Sequence, residues 1–311
     1  MIDFAGRTAF VTGGANGVGL GIVRNLLNEG CKVAIADIRQ DAIDAALASL
    51  DNREVMGVRL DVMDRAGFAA AADEVEAAFG PVSLVFNNAG INLFQTIEES
   101  SYDDWDWVLG VNLGGVINGV MTFAPRMKAR ALSGEVTDGH ITNTASMASF
   151  IASGAPGIYN TAKFAMRGLS YSLRHSMYEY GIGVSVVHPG LVKSVIYASD
   201  EVRPERLKGG ARPVDEAAVE RLAGIHEFGM EPDTIGARIL DGIRENRANI
   251  FTHPDHKAEL EELFAEILAD YRDYPEDTGY EQRVAFEKVR RDNFAETRRK
   301  AKALERPSPG K

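Results

Sequence analysis

The chain has 311 residues, 45% hydrophobic and 25% charged, a balance that suits a globular protein with a sizeable core and excludes a disordered one. A formal charge of −11 argues against a polyanion such as nucleic acid as main partner, because binding phosphates takes a basic surface. Cys31 is the single cysteine, so no intramolecular disulfide or cysteine metal cluster can form, and the composition fits a reducing cytoplasm.

Taken in order, the chain enters a strand without the basic-then-apolar run of an export signal. No stretch reaches about 18 apolar residues, so neither secretion nor membrane insertion is expected. The first half alternates short β-branched runs with segments of helical period, the pattern of βαβ units around a parallel sheet covered on both faces. Strands are expected at Thr8–Val11, Lys32–Ala36, Val55–Arg59, Leu84–Asn87, His140–Thr144 and Gly183–His188, with a short one near Ala248–Thr252 closing the sheet. Helices are expected at about Gly17–Glu29, Asp41–Leu50, Arg65–Phe79, Tyr102–Ala131 and Gly157–Tyr180. The fold class is α/β, a doubly wound parallel sheet of about seven strands.

Residues 191–232 are polar, carry Pro204, Pro213 and Pro232, and break the rhythm, as an insertion or lid over a site does. From His256 to Arg272 an amphipathic helix returns, with Leu260, Leu263, Phe264, Ile267 and Leu268 as its apolar stripe. Residues 286–311 hold nine Lys/Arg against four Asp/Glu, a net of +5 that leaves −16 on the rest. This tail either packs on an acidic neighbouring subunit or stays a solvated helix. The expected organisation is a main domain over 1–255, with 191–232 inserted in it, and a helical extension over 256–311.

Three groups of residues carry chemistry. The loop from Thr12 through Gly13, Asn16, Gly17 and Val18 to Gly19 follows the first strand and opens the first helix, where glycines let main chain approach a pyrophosphate. Asp37 closes the second strand. An acid there accepts hydrogen bonds from ribose hydroxyls and repels a 2′-phosphate, favouring NAD over NADP, although Arg39 two residues on could hold that phosphate. Tyr159 and Lys163 stand four residues apart with Ser146 upstream. On a helix that spacing puts phenol and ammonium on one face, and the cation favours the phenolate of an acid–base tyrosine. Alone, the pair fits a core tyrosine with a lysine reaching to water better than it fits a catalytic pair. His253 and His256 flank Pro254-Asp255; without a third ligand they read as surface residues, and no metal is assigned.

With these motifs in order, residues 5–255 resemble the short-chain dehydrogenase/reductase family, a Rossmann-like fold. Further marks are Asn87-Asn88-Ala89-Gly90, Asn112, and Pro189-Gly190 after the sixth strand. The resemblance implies a catalytic tetrad of Asn112, Ser146, Tyr159 and Lys163, and adenine contacts from Asp61 and Val62. It places the nicotinamide against Pro189, Gly190, the main chain of Val192 and the hydroxyl of Ser194, where the family more often has threonine. Lys163 would also hold the nicotinamide ribose, and Asn112 would order a water leading from Lys163 to solvent. The resemblance also implies that the long helices at 102–131 and 157–180 pair across a two-fold axis in a homodimer or homotetramer.

Ile91, Asn92, Phe94, Met147, Ala148, Phe150, Ile196 and Tyr197 are expected to wall a roomy, mostly apolar pocket. The Tyr102–Gly119 segment, the long insertion and the extended C-terminus are similar to bacterial aryl-alcohol members of the family, among them Cα-dehydrogenases that oxidise a benzylic alcohol in lignin-derived β-aryl ethers. The expected reaction is hydride transfer between NAD and a bulky aryl secondary alcohol or ketone. A hydroxysteroid or 3-hydroxyacyl substrate is the alternative, and a nucleotide sensor without chemistry the more distant one.

Overall fold

In a computed structural model, residues 3–303 are described except 51–53, 136–137, 212–214 and 276; Pro213 and the last eight residues of the basic tail lie outside this range. Seven strands form one parallel sheet in the order β3-β2-β1-β4-β5-β6-β7. They are β1 (Thr8–Thr12), β2 (Lys32–Asp37), β3 (Val55–Arg59), β4 (Val82–Asn87), β5 (Gly139–Thr144), β6 (Ile182–His188) and β7 (Asn249–Phe251). β1, β4, β5 and β6 are buried along their whole length, as strands between two helical layers must be. The expected strands recur within a residue or two of their ends, and β7 adds the short closing strand beside β6.

Helices cover both faces. On one lie α1 (Gly17–Asn28), α2 (Gln40–Ser49) and α8 (Pro232–Arg244), packing Ile22, Leu26, Ile43, Ile239 and Ile243 against Val33 and Ile35. On the other lie α3 (Arg65–Phe79), α5 (Gly115–Ser133) and α6 (Gly157–Met177), where the Phe10, Phe68 and Phe123 rings meet with centroids 5.0–6.3 Å apart. The sequence pattern did not announce α8. Its Ile235, Ile239, Leu240 and Ile243 follow directly on the polar insertion and fill the groove beside α1.

The helix expected over Tyr102–Ala131 is interrupted. α4 (Tyr102–Leu109) passes through a π-helical turn at Gly110–Gly114 into α5, and Asn112 sits in that turn. This rod contains an 18-residue window of mean hydropathy 1.4, long and apolar enough by composition to cross a membrane, yet 44% of the window is buried against the fold.

The inserted region holds two short 3-10 segments, Ile196–Val202 and Glu205–Leu207, and then α7 (Glu216–His226), none of whose residues is buried. Arg203 fixes the first part: its guanidinium pairs with Asp104 at 2.6 Å and lies 4.9 Å from the Trp107 ring centroid, all three buried. The extension forms α9 (Lys257–Ala269) and α10 (Tyr280–Ala303). The α9 stripe is on one face as expected but mostly uncovered: Phe264 reaches Phe150, ring centroids 6.1 Å apart, while Ile267 and Leu268 are exposed.

Candidate active site

Strand order reverses between β1 and β4, and beyond the carboxyl ends of these strands opens a cavity of about 920 Å³. Gly17, at φ +49°, turns the chain from β1 into α1 in the left-handed region that favours glycine. Gly13, Asn16, Gly17 and Val18 give the cavity a wall of largely bare main chain at the N-terminus of α1. Thr12 and Gly19 stand behind that wall. The Thr12 hydroxyl accepts from the amides of Asn88 and Ala89 at 2.9 and 3.1 Å, tying β1 to the loop after β4. A Cβ on Gly19 would overlap the Gly13 carbonyl.

Asp37, Asp61 and Val62 line one end of the cavity. The Asp37 carboxylate accepts from the amides of Arg39 and Ala15 at 3.2 and 3.3 Å; burial nonetheless raises its pKa. At the middle are Asn88, Ala89, Gly90, Pro189, Gly190, Val192 and Ser194. This arrangement fits a dinucleotide: bare main chain at a helix N-terminus for the pyrophosphate, and a recessed carboxylate for a ribose.

The Ser146, Tyr159 and Lys163 side chains converge at the inner wall. Ser146 is extended, ends the run after β5, and caps the Met147–Ser149 turn by accepting from the Ala148 amide at 3.2 Å. Its hydroxyl opposes the upward shift of the neighbouring Tyr159 phenol. Lys163, one turn along α6 and 2% exposed, donates to the Thr144 carbonyl at 2.9 Å and lies 5.2 Å from the Tyr159 ring centroid. The expectation that the lysine draws the phenol's pKa down is not met. Burial pushes Tyr159 above its ordinary value, against the Ser146 hydroxyl, and pushes Lys163 down to about 7. Each group loses more by leaving water than it gains from the other.

Asn112 lies behind Gly90 and is fully buried. Its amide accepts from the Ile91 N–H and donates to the Ile91 carbonyl, both at 2.8 Å, so the side chain locks the loop after β4.

Several residues escaped the sequence reading. Ser149 donates to the Ser146 carbonyl at 2.6 Å and meets His188 Nδ1 at 2.9 Å, backing the serine turn; burial holds His188 neutral, with its pKa at about 4. Ser199 accepts from the Asn92 amide at 3.0 Å and fastens the inserted region to the pocket wall. His253, expected at the surface, is buried with both ring nitrogens engaged by the loop after β6. Hydroxyls and imidazoles act here through neighbours distant in sequence, and no local motif marks them.

Comparison with known proteins agrees with this geometry. The short chain dehydrogenase family profile matches residues 7–204. The chain is 40% identical, over 91% of its length and 93% of the relative's, to a C alpha-dehydrogenase of Sphingobium sp. (strain NBRC 103272 / SYK-6). A solved short-chain dehydrogenase structure from Novosphingobium aromaticivorans is 62% identical with a TM-score of 0.86, covering 97% of this chain and all of that one. Another, from Burkholderia phymatum in complex with NAD, is 34% identical with a TM-score of 0.80, covering 89% of this chain and all of that one. The chain belongs to the short chain dehydrogenase family, and is accordingly an oxidoreductase that works with a nicotinamide cofactor on a small-molecule alcohol or ketone.

Proposed function

We propose that this enzyme oxidises bulky, uncharged aryl secondary alcohols at the carbinol carbon, of the kind found beside the ring in lignin-derived β-aryl ethers, with Tyr159 as acid–base residue and NAD as cofactor. The convergence of Ser146 and Tyr159 on the cavity wall, beside a buried Lys163, carries the reading. A bound nicotinamide supplies the hydride acceptor, and in the reverse direction the donor. Tyr159 takes the substrate's hydroxyl proton as oxidation proceeds and returns it in reduction. Ser146 holds the substrate oxygen. Lys163 engages the nicotinamide ribose, and Asn112 keeps the Gly90–Ile91 wall in place.

Three observations support the substrate class. Phe94, Trp107, Met147, Ile151, Ile196 and Tyr197 give the pocket apolar and aromatic walls. Among its described lining residues the only Lys or Arg side chains are Lys163 and Arg39, the latter beside Asp37, whereas Glu201 and Glu259 add negative charge. An anionic substrate would meet carboxylates without compensating cations, which disfavours acyl thioesters carrying phosphates. The likeness to a C alpha-dehydrogenase points the same way. For the cofactor, the recessed Asp37 carboxylate suits ribose hydroxyls better than a 2′-phosphate.

Residues 191–232 form the substrate cover, with the Arg203-anchored part as its fixed wall and α7 as its more exposed part, tied to the wall at His226. Exposed apolar residues, among them Met121 on α5 and Ile267 and Leu268 on α9, support a homodimer or homotetramer, and the buried reduced Cys31 a cytoplasmic enzyme. Replacing Tyr159 by Phe removes the proton acceptor and little else. Tyr159→Phe should lose at least about a thousandfold in kcat while binding NADH as the parent does, measured by titration of cofactor fluorescence; near-parental turnover would sink the assignment.

A further inference from the structure

The loop after β6, Pro189–Ser194, borders the cavity and is fixed by contacts that the family motifs do not describe. Gly190 N–H donates to His253 Nδ1 at 2.9 Å, and His253 Nε2 meets the Leu191 carbonyl at 3.0 Å. A carbonyl can only accept, so the ring is the neutral Nε2–H tautomer, gripping two successive residues of the loop. The Thr252 hydroxyl lies 2.9 Å from the same Nδ1, and His253 is buried. A second imidazole comes from the last residue of α7: His226 Nδ1 donates to the Val192 carbonyl at 2.8 Å.

Between these grips Val192 forms a parallel bridge with Met230, in which the Met230 amide donates to Leu191 O at 2.9 Å and the Lys193 amide to Met230 O at 3.1 Å. In such a bridge the central residue's own N–H and C=O point away from the partner strand. The Val192 carbonyl does so, toward His226, and its N–H shares that direction, on a residue that lines the cavity.

We propose that His253, assisted by His226, is a positioning residue for the nicotinamide half of the cofactor: the two imidazoles clasp the main chain of residues 190–192 so that the Val192 N–H is aimed at the nicotinamide carboxamide. His253 approaches from the end of β7 and His226 from α7, so the clasp joins the sheet, the nicotinamide loop and the inserted region. The inference rests on the cavity's being a nicotinamide dinucleotide site.

Equilibrium titration with two ligands, NADH and ADP-ribose, separates positioning from general damage, because ADP-ribose lacks the nicotinamide. His253→Ala should weaken NADH binding about tenfold, the scale of one or two lost hydrogen bonds, while ADP-ribose affinity changes less than about twofold. His253→Asn, whose Oδ1 can still accept from the Gly190 N–H, should recover much of the loss. His226→Ala should show the same selective pattern with a smaller amplitude, and it serves if His253→Ala does not fold. Equal weakening of both ligands, or unchanged NADH affinity, overturns the proposal. Failure of the parent protein to bind NADH would instead overturn the reading of the cavity.

Discussion

Tyr159 and Lys163 are driven away from their charged forms by burial, the phenol upward and the ammonium down to about 7. Oxidation requires the phenolate, so its kcat/KM should climb as pH rises and empties the phenol of its proton, whereas reduction, which needs the phenol, should hold level until the pH passes the raised value. From about pH 6 to about pH 9 the oxidation profile should therefore rise while the reduction profile stays level; a flat oxidation profile would contradict the assignment. Spacing and residue type made the tyrosine, lysine and serine legible in the sequence. Their electrostatics were not, because the cost of burial depends on a fold that brings Thr144, Gly90 and Ser146 around the lysine and the phenol. His253 shows the same limit: one imidazole in a loop has no local signature until β7 sets it against Gly190.

Among the elements, the insertion is firmest where Arg203 meets Asp104. Burial would raise the Asp104 carboxyl, but hydrogen bonds from Ser101, Gln95 and Arg203 outweigh it and hold it below the ordinary aspartate value. The stability it contributes is thus complete above the unfolded value and fades as acidification passes the depressed one. Arg203→Met should cost about 3–5 kcal/mol in denaturant unfolding by stranding a buried carboxylate, and a change within ±0.5 kcal/mol would show the pair to be incidental. A second contact was equally hidden in the sequence. A Cβ on Gly21 would overlap the Pro232 carbonyl, and one on Gly236 would overlap that of Gly21, so α1 and α8 touch backbone to backbone. Gly236→Val should destabilise by about 1–3 kcal/mol in the same assay; no loss would mean that the helices part freely. The strands were readable because they are short runs rich in β-branched residues between turns. α8 was missed because its period begins immediately after a polar excursion, and the π turn at Asn112 because one inserted residue leaves the helical period nearly unchanged.

For the whole molecule, composition and charge pointed correctly to small-molecule chemistry, and the alternation of strands and helices to the doubly wound sheet. The α9 stripe marks the boundary of what periodicity can say: it defines an apolar face but not what covers it, and Ile267 and Leu268 remain exposed in the single chain. Substrate choice is likewise a property of the assembled cavity, set by aromatic walls and by the carboxylates of Glu201 and Glu259, contributed by segments far apart in sequence. The most direct test follows formation of the reduced nicotinamide while NAD and NADP are each offered with a neutral benzylic secondary alcohol, its carboxylated counterpart, a hydroxysteroid and a 3-hydroxyacyl thioester. Turnover should be greatest with NAD and the neutral aryl alcohol, at least about tenfold above the carboxylated one in kcat/KM. No turnover with any alcohol, or preference for the anionic substrates, would contradict the account.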